Sequence, residues 1–92
     1  MYADPPVHLQ QQYLELQTKA LEAKVAAGAL GFRQTNFRSH GQPVYTNGQR
    51  FITPDVDSHA GGAWKMADSV RNLGSKNTRM GTYDRELNRI GN

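Results

Sequence analysis

Residues 43–53, "PVYTNGQRFIT", decide the fold. Two β-prone runs flank Asn47-Gly48. That pair is the strongest short-range hairpin signal, because both central residues of a type I′ turn need φ > 0. Residues 43–46 and 49–53 are therefore expected to pair as antiparallel strands.

Upstream of this hairpin the chain changes character at Gly28 to Gly31. Residues 6–28 read as a helix: Pro5-Pro6 begins it, good helix formers fill it and Gly28 stops it. At 100° per residue Leu9, Tyr13, Leu16, Ala20, Ala23 and Ala27 form one apolar stripe, and Val7, Leu14, Leu21 and Val25 a second. Two stripes need cover on two sides. One small sheet covers one of them, which leaves the other for a partner chain or a preceding segment of a longer protein.

Downstream, "GAWKMA" at residues 62–67 suits a short strand or the start of a helix running to Leu73, with the strand favoured. The polar "GSKN" that follows Leu73 reads as a loop. "TRMGTYDRELNRIG" reads as a strand over 78–83, a turn around Asp84 to Glu86 and a closing strand over 87–90. The sum is an α+β domain, an N-terminal helix packed on an antiparallel sheet, with residues 1–30 as the helical segment and 31–92 as the β-rich region.

A chain of 92 residues makes one domain with a small core. It has no cysteine, so neither disulfides nor Cys-ligated zinc staple it. No charged leader with an apolar core opens it and no 18 apolar residues run together, so neither a signal peptide nor a membrane span is expected. Charge is unevenly spread. Residues 1–32 set Lys19 and Lys24 against Asp4, Glu15 and Glu22, whereas residues 33–92 set nine basic residues, seven of them arginine, against five acids. A basic, arginine-rich half suits phosphate, since the planar guanidinium fork matches phosphate oxygens and base edges better than an ammonium does.

The chemistry-bearing stretch is "ITPDVDSHAGGAWK", residues 52–65. In extended backbone Asp55, Asp57 and His59 would point one way and suit a divalent ion. Pro54 and Gly61-Gly62 argue instead for a turn-rich loop, in which such aspartates satisfy backbone N–H groups. The other reading needs no metal. RNA supplies its own 2′-hydroxyl as nucleophile, so a protein has to add a base, an acid and a cation for the charge that develops on phosphorus. His40 in "FRSHGQP" and His59 in "DVDSHAGG" are the candidate acid and base, in loops beside glycine within the basic half, while His8 sits in the acidic half and reads as ordinary surface. Lys65 is the candidate cation. Trp64 beside it reads as core, or as a stacking platform for a base. On the strand over 78–83, Arg79 and Tyr83 share one face and Thr82 takes the other, and either face can line a phosphate site. Arg38, Arg50 and Arg89 are further candidates for contact with nucleic acid.

"FRSHGQPVY", "RFITPDVDSHAGGAWKMA" and "RMGTYDRELNRIG" together resemble the C-terminal toxin domains of bacterial polymorphic and contact-dependent growth inhibition systems, closest to the Novel toxin 21 family. The likeness spans residues 36–92. It implies a barnase/EndoU/colicin/RelE-like fold and an RNase acting on tRNA without a cofactor. It also implies a cognate immunity protein and a larger secreted effector that delivers the domain into the cytoplasm of target bacteria. The implied catalytic set is His40 or His59 with Lys65, Arg79 and Thr82, and Tyr83 as an accessory. Arg38, Arg50, Asp55, Asp57, Trp64 and Arg89 fall to substrate binding or to orienting a basic partner. Two other readings stand beside it: a metal-dependent DNase built on Asp55, Asp57 and His59, and a nucleic-acid-binding module without chemistry.

Overall fold

The 23-residue helix α1 (Val7–Ala29) leads into six strands that pair in chain order as one antiparallel sheet: β1 (Arg33–Ser39), β2 (Gln42–Thr46), β3 (Phe51–Pro54), β4 (Trp64–Ala67), β5 (Gly81–Tyr83) and β6 (Arg89–Gly91). A one-turn helix, α2 (Val70–Leu73), lies between β4 and β5. This computed structural model describes residues 7–56 and 62–91.

Helix α1 ends one step later than Gly28 suggested. Gly31 adopts φ +88, the Phe32 N–H donates to Ala27 O at 2.9 Å and the Gly31 N–H to Gly28 O at 3.0 Å. That is a Schellman stop, in which only glycine takes the left-handed position without strain, so Gly28 stays helical and Gly31 turns the chain. The Phe32 and Ala27 side chains meet in the core, as this cap requires.

The hairpin at residues 43–53 forms, but its turn differs from the expectation. Thr46 pairs with Phe51, so Asn47 to Arg50 make a four-residue loop in which Gly48 has positive φ and Asn47 does not. Asn47 Oδ1 instead accepts from the N–H groups of Gln49 (2.9 Å) and Arg50 (2.7 Å), a side-chain-built turn that spares Asn47 a left-handed backbone. The two-residue hairpin with both central residues at positive φ lies one turn upstream. Ser39 pairs with Gln42 across His40 (φ 49) and Gly41 (φ 77). Histidine tolerates this region better than most non-glycine residues, and the turn fixes where its ring can reach.

"GAWKMA" is the strand β4, and the helix alternative survives only as α2, capped by Ser69 Oγ accepting from the Asn72 N–H at 3.1 Å. The strand expected over 78–83 is shorter, Gly81–Tyr83, because Ser75 O accepts from the N–H groups of both Thr78 (3.1 Å) and Arg79 (3.0 Å) and holds that segment in a turn. The closing strand sits at Arg89–Gly91 after a turn built on the Asp84 carboxylate.

Each sheet face has its own cluster. Against α1, Ala27, Phe32, Tyr45, Ile52, Trp64, Met66 and Tyr83 form the main core, with Tyr45 and Trp64 edge-to-face at 5.9 Å. Burial raises the Tyr45 hydroxyl pKa above its ordinary 10.0. Against α2 lies a smaller set, Val44, Ala67 and Leu73. Among the described residues, it is the last turns of α1 that pack on the core of the sheet. Ala23 and Ala27 pack on it, whereas Leu9 and Tyr13 of the same stripe, and Leu14, Leu21 and Val25 of the second, stay exposed. A 23-residue helix is about 35 Å long, more than the sheet can cover. The molecule accordingly extends 49 Å along its long axis, with a radius of gyration of 14.9 Å. A compact chain of this length would have about 12 Å.

Candidate functional site

Strand alternation sorts the candidate residues between the two faces. Lys65 pairs with Thr53 on one side and Thr82 on the other, so the three lie in one row across β3, β4 and β5 on the α2 face. Trp64, Met66, Gly81 and Tyr83 alternate to the α1 face, and Trp64 (4% exposed) and Tyr83 (8%) are core residues. This corrects the stacking role for Trp64 and the accessory role for Tyr83, because buried rings packed on Ile52 and Met66 cannot meet a nucleotide.

Asp55 completes the row. It follows the end of β3, where its N–H donates to Ala63 O at 2.9 Å, and its carboxylate lies 4.0 Å from Lys65 Nζ. Both side chains are shielded, Lys65 at 15% exposure and Asp55 at 8%. The space between Asp55 and Thr82 is held open by Gly62. A Cβ there would stand 2.6 Å from Asp55 Oδ2 and closer still to the Thr82 methyl. Asp55, just after β3, and Gly62 and Lys65, around the start of β4, thus meet at Thr82. Asp57 and His59 lie outside the described residues.

The Thr53 hydroxyl donates to Pro43 O at 2.8 Å and is buried at 3%, which ties β3 to β2 beneath Lys65. Neither Thr53 nor Gly62 was singled out as functional from sequence. A threonine in a hairpin strand has no distinguishing signal, and Gly62 was legible only as half of a turn-forming pair.

His40 lies at the same end of the sheet as Asp55, since the β1–β2 turn and the exit of β3 both follow from the pairings Ser39–Gln42, Tyr45–Ile52 and Pro54–Trp64. Its ring is engaged: Nε2 donates to Gly74 O at 2.9 Å, just past α2.

The remaining arginines do not join the row. Arg38 pairs with Pro43 on the α1 face and donates through Nη1 to Gly41 O at 3.1 Å. Arg50 is in the β2–β3 loop at the far end of the sheet from Asp55. Arg89 pairs with Tyr83 on the α1 side and folds over Gly81, its Nε donating to Met80 O at 3.0 Å. Arg79 lies in the turn before β5 rather than on the strand, which removes the reason for grouping it with Tyr83; its Nε is buried without a hydrogen-bond partner among the described residues.

No group of three or more metal-ligating side chains occurs among the described residues. The assembled set of a lysine, a carboxylate and a hydroxyl at a bare glycine backbone can bind a phosphodiester and stabilise charge on it.

The model of the family Novel toxin 21 matches residues 25–92, most of the chain and all six strands. The chain belongs to the Novel toxin 21 family. A relative within reach of this Novel toxin 21 chain is the "16S rRNA endonuclease CdiA" of Enterobacter cloacae subsp. cloacae, 47% identical over 85 residues. That match covers 85% of this chain and only 2% of the CdiA protein. Among solved structures, the CdiA-CT/CdiI toxin and immunity complex from Enterobacter cloacae contains a chain 44% identical to this one with a TM-score of 0.60. The overlap covers 79% of this chain and 97% of the other. The α+β fold expected from sequence is thus the fold of a CdiA-CT toxin.

Proposed function

We propose that this chain is the nuclease module of an antibacterial toxin that cuts 16S ribosomal RNA. In this reading a cognate immunity protein silences it, and a much larger secreted effector delivers it into the cytoplasm of competing bacteria. The carrying observation is the shielded Asp55–Lys65 pair set against Thr82 at the bare backbone of Gly62. Its context, 44% identity to a chain of a solved toxin and immunity complex, supports the toxin reading. The CdiA relative, named for action on 16S rRNA, supports a ribosomal target, and nothing in these relatives supports the tRNA target that the wider resemblance implied.

The chemistry follows from the residues. A base takes the proton from a ribose 2′-hydroxyl, the oxygen attacks the adjacent phosphorus, and the 5′-oxygen leaves with a proton from an acid, giving a 2′,3′-cyclic phosphate and a free 5′-hydroxyl. Lys65 meets the negative charge that builds on the non-bridging oxygens, and the Thr82 hydroxyl donates to one of them. Asp55 holds the Lys65 ammonium in line, and the missing side chain at Gly62 lets the phosphate approach. We assign proton transfer to His59 rather than His40. His59 falls between Asp55 and Gly62 in the sequence, whereas the His40 ring braces Gly74.

Purified protein incubated with bacterial ribosomes and with total RNA, with and without EDTA, tests this on a denaturing gel. The expected result is one discrete 16S rRNA fragment that persists in EDTA, vanishes with Lys65→Ala and His59→Ala and remains with His40→Ala. Intact RNA with folded wild-type protein would leave a binding module, loss of cutting in EDTA would restore the metal site, and cut tRNA would restore the earlier target.

A further inference from the structure

We infer that the cavity between α1 and the end of the sheet where β3 finishes is a subsite for the nucleotide next to the bond that is cut, with Lys19 as its phosphate contact. The cavity has a volume of about 440 Å³, within the range of small-molecule sites. Asp55 is among its lining residues and also pairs with Lys65, so cavity and candidate site meet at one side chain. A phosphodiester held at Lys65 and Thr82 thus places a neighbouring nucleotide beside the cavity.

The walls suit a flat ring. Ala20 and Ala23 line the cavity from α1, three positions apart on one side of the helix. Pro43 and Pro54 line it from β2 and β3, on the α1 face by the same alternation that puts Tyr45 and Ile52 there. Alanines and prolines leave a slot with no long side chain to fold into it, and they shield the apolar faces of a base from water. Lys19 is the one cation among the described lining residues, and no ion pair or hydrogen bond engages its ammonium there. An unengaged ammonium beside an apolar slot matches a nucleotide, the slot taking the base and the point charge the phosphate. Lys19 and Ala20 precede residue 25, where the Novel toxin 21 match begins, so α1 gains a part in substrate binding that the matched region does not carry. This inference rests on the ribonuclease reading.

The test measures 16S rRNA cleavage over a range of ribosome concentrations and at several salt concentrations. Lys19→Ala should raise KM about 10-fold, as for one lost charge-assisted hydrogen bond, with kcat unchanged. It should also lower the salt slope of kcat/KM by roughly 0.7, as for one lost single-strand phosphate contact. Ala20→Leu fills the slot without changing charge and should raise KM while leaving the salt slope as it was. Lys24→Ala, an equal charge change on α1 at a residue outside this cavity, should do less than Lys19→Ala. Lys19, Ala20 and Lys24 are exposed and each replacement is a good helix former, so the fold should hold, which circular dichroism checks. If either Lys19→Ala or Ala20→Leu keeps the wild-type KM, or Lys19→Ala only matches Lys24→Ala, the inference is overturned while wild-type cleavage keeps the ribonuclease reading. If KM holds while binding to the cognate immunity protein falls, the cavity is a protein contact and the inference is likewise overturned. If wild-type protein leaves ribosomal RNA intact, both fall together.

Discussion

The two faces of one sheet are built to opposite ends. Against α1, strand alternation delivers Tyr45, Ile52, Trp64, Met66 and Tyr83 into a closed cluster with Ala27 and Phe32. Against α2, the same strands deliver Thr53, Lys65 and Thr82, and the four-residue helix packs on Val44 and Ala67. The difference teaches that stability and chemistry are separated here by a single-residue alternation. Trp64 and Lys65 are neighbours in sequence, yet one is sealed in the core and the other faces the candidate site. A shift of one residue in the β4 register would exchange them.

The largest effect should come from breaking the closed face. Trp64→Ala is expected to lower stability by about 3–5 kcal/mol through lost contacts and a residual cavity, read by urea unfolding. For a small domain that is enough to leave much of the protein unfolded. Loss of activity in that variant should track the unfolded fraction.

On the open face the separation should appear in reverse. Lys65→Ala should reduce RNA cleavage by about 10²- to 10³-fold, the usual result of deleting one preorganised charge donor. Because it also removes the Asp55–Lys65 ion pair, it should cost stability too. Lys65→Met combined with Asp55→Asn should restore the melting temperature without restoring cleavage. If cleavage returned with stability, Lys65 would be a structural residue only.

Gly62→Ala sharpens the comparison, because the atoms nearest the new methyl belong to Asp55 and Thr82. An overpacking cost of about 1–3 kcal/mol is expected, with cleavage falling more than unfolding explains. Equal cleavage per folded molecule would show that Asp55 and Thr82 need no close approach to work.

The smallest effect should lie at the β5–β6 turn, where Asp84 accepts from the Asn88 N–H at 2.8 Å and the Glu86 N–H at 3.0 Å. These bonds, that from Asn88 first, hold its pKa below the ordinary 3.8. Since the folded value is the lower one, the contribution to stability is complete above 3.8 and disappears as pH falls through the folded value. Thermal melts at pH 5 and pH 2 should differ less for Asp84→Ala than for wild type.

Much of this was legible from residues alone. The hairpin at residues 43–53 followed from Asn47-Gly48 between β-prone runs, although Asn47 makes the turn with its side chain and the mirror-type turn fell to His40-Gly41, which carries no comparable signal. The motif likeness located the family. Lys65, Asp55 and Thr82 could be nominated, because charged and hydroxyl residues in a basic half have few other tasks. Trp64 and Tyr83, each readable from sequence as core or as a substrate contact, are packed in the core, and Arg89 pairs beside Tyr83 on the α1 side, away from the Lys65 row.

The sequence by itself determined the local events: where α1 runs, where the chain turns, that the rest is antiparallel strand, and which residue types could handle phosphate. These depend on neighbours a few positions apart, where backbone preference and side-chain period act directly. Tertiary structure alone decided which nominated residues meet. Thr82 reaches Lys65 only because β5 pairs with β4, and Asp55 reaches both only because β3 pairs with β4 and its N–H bonds Ala63 O. Register is set by which face the whole sheet buries, a sum over all six strands that no one segment carries.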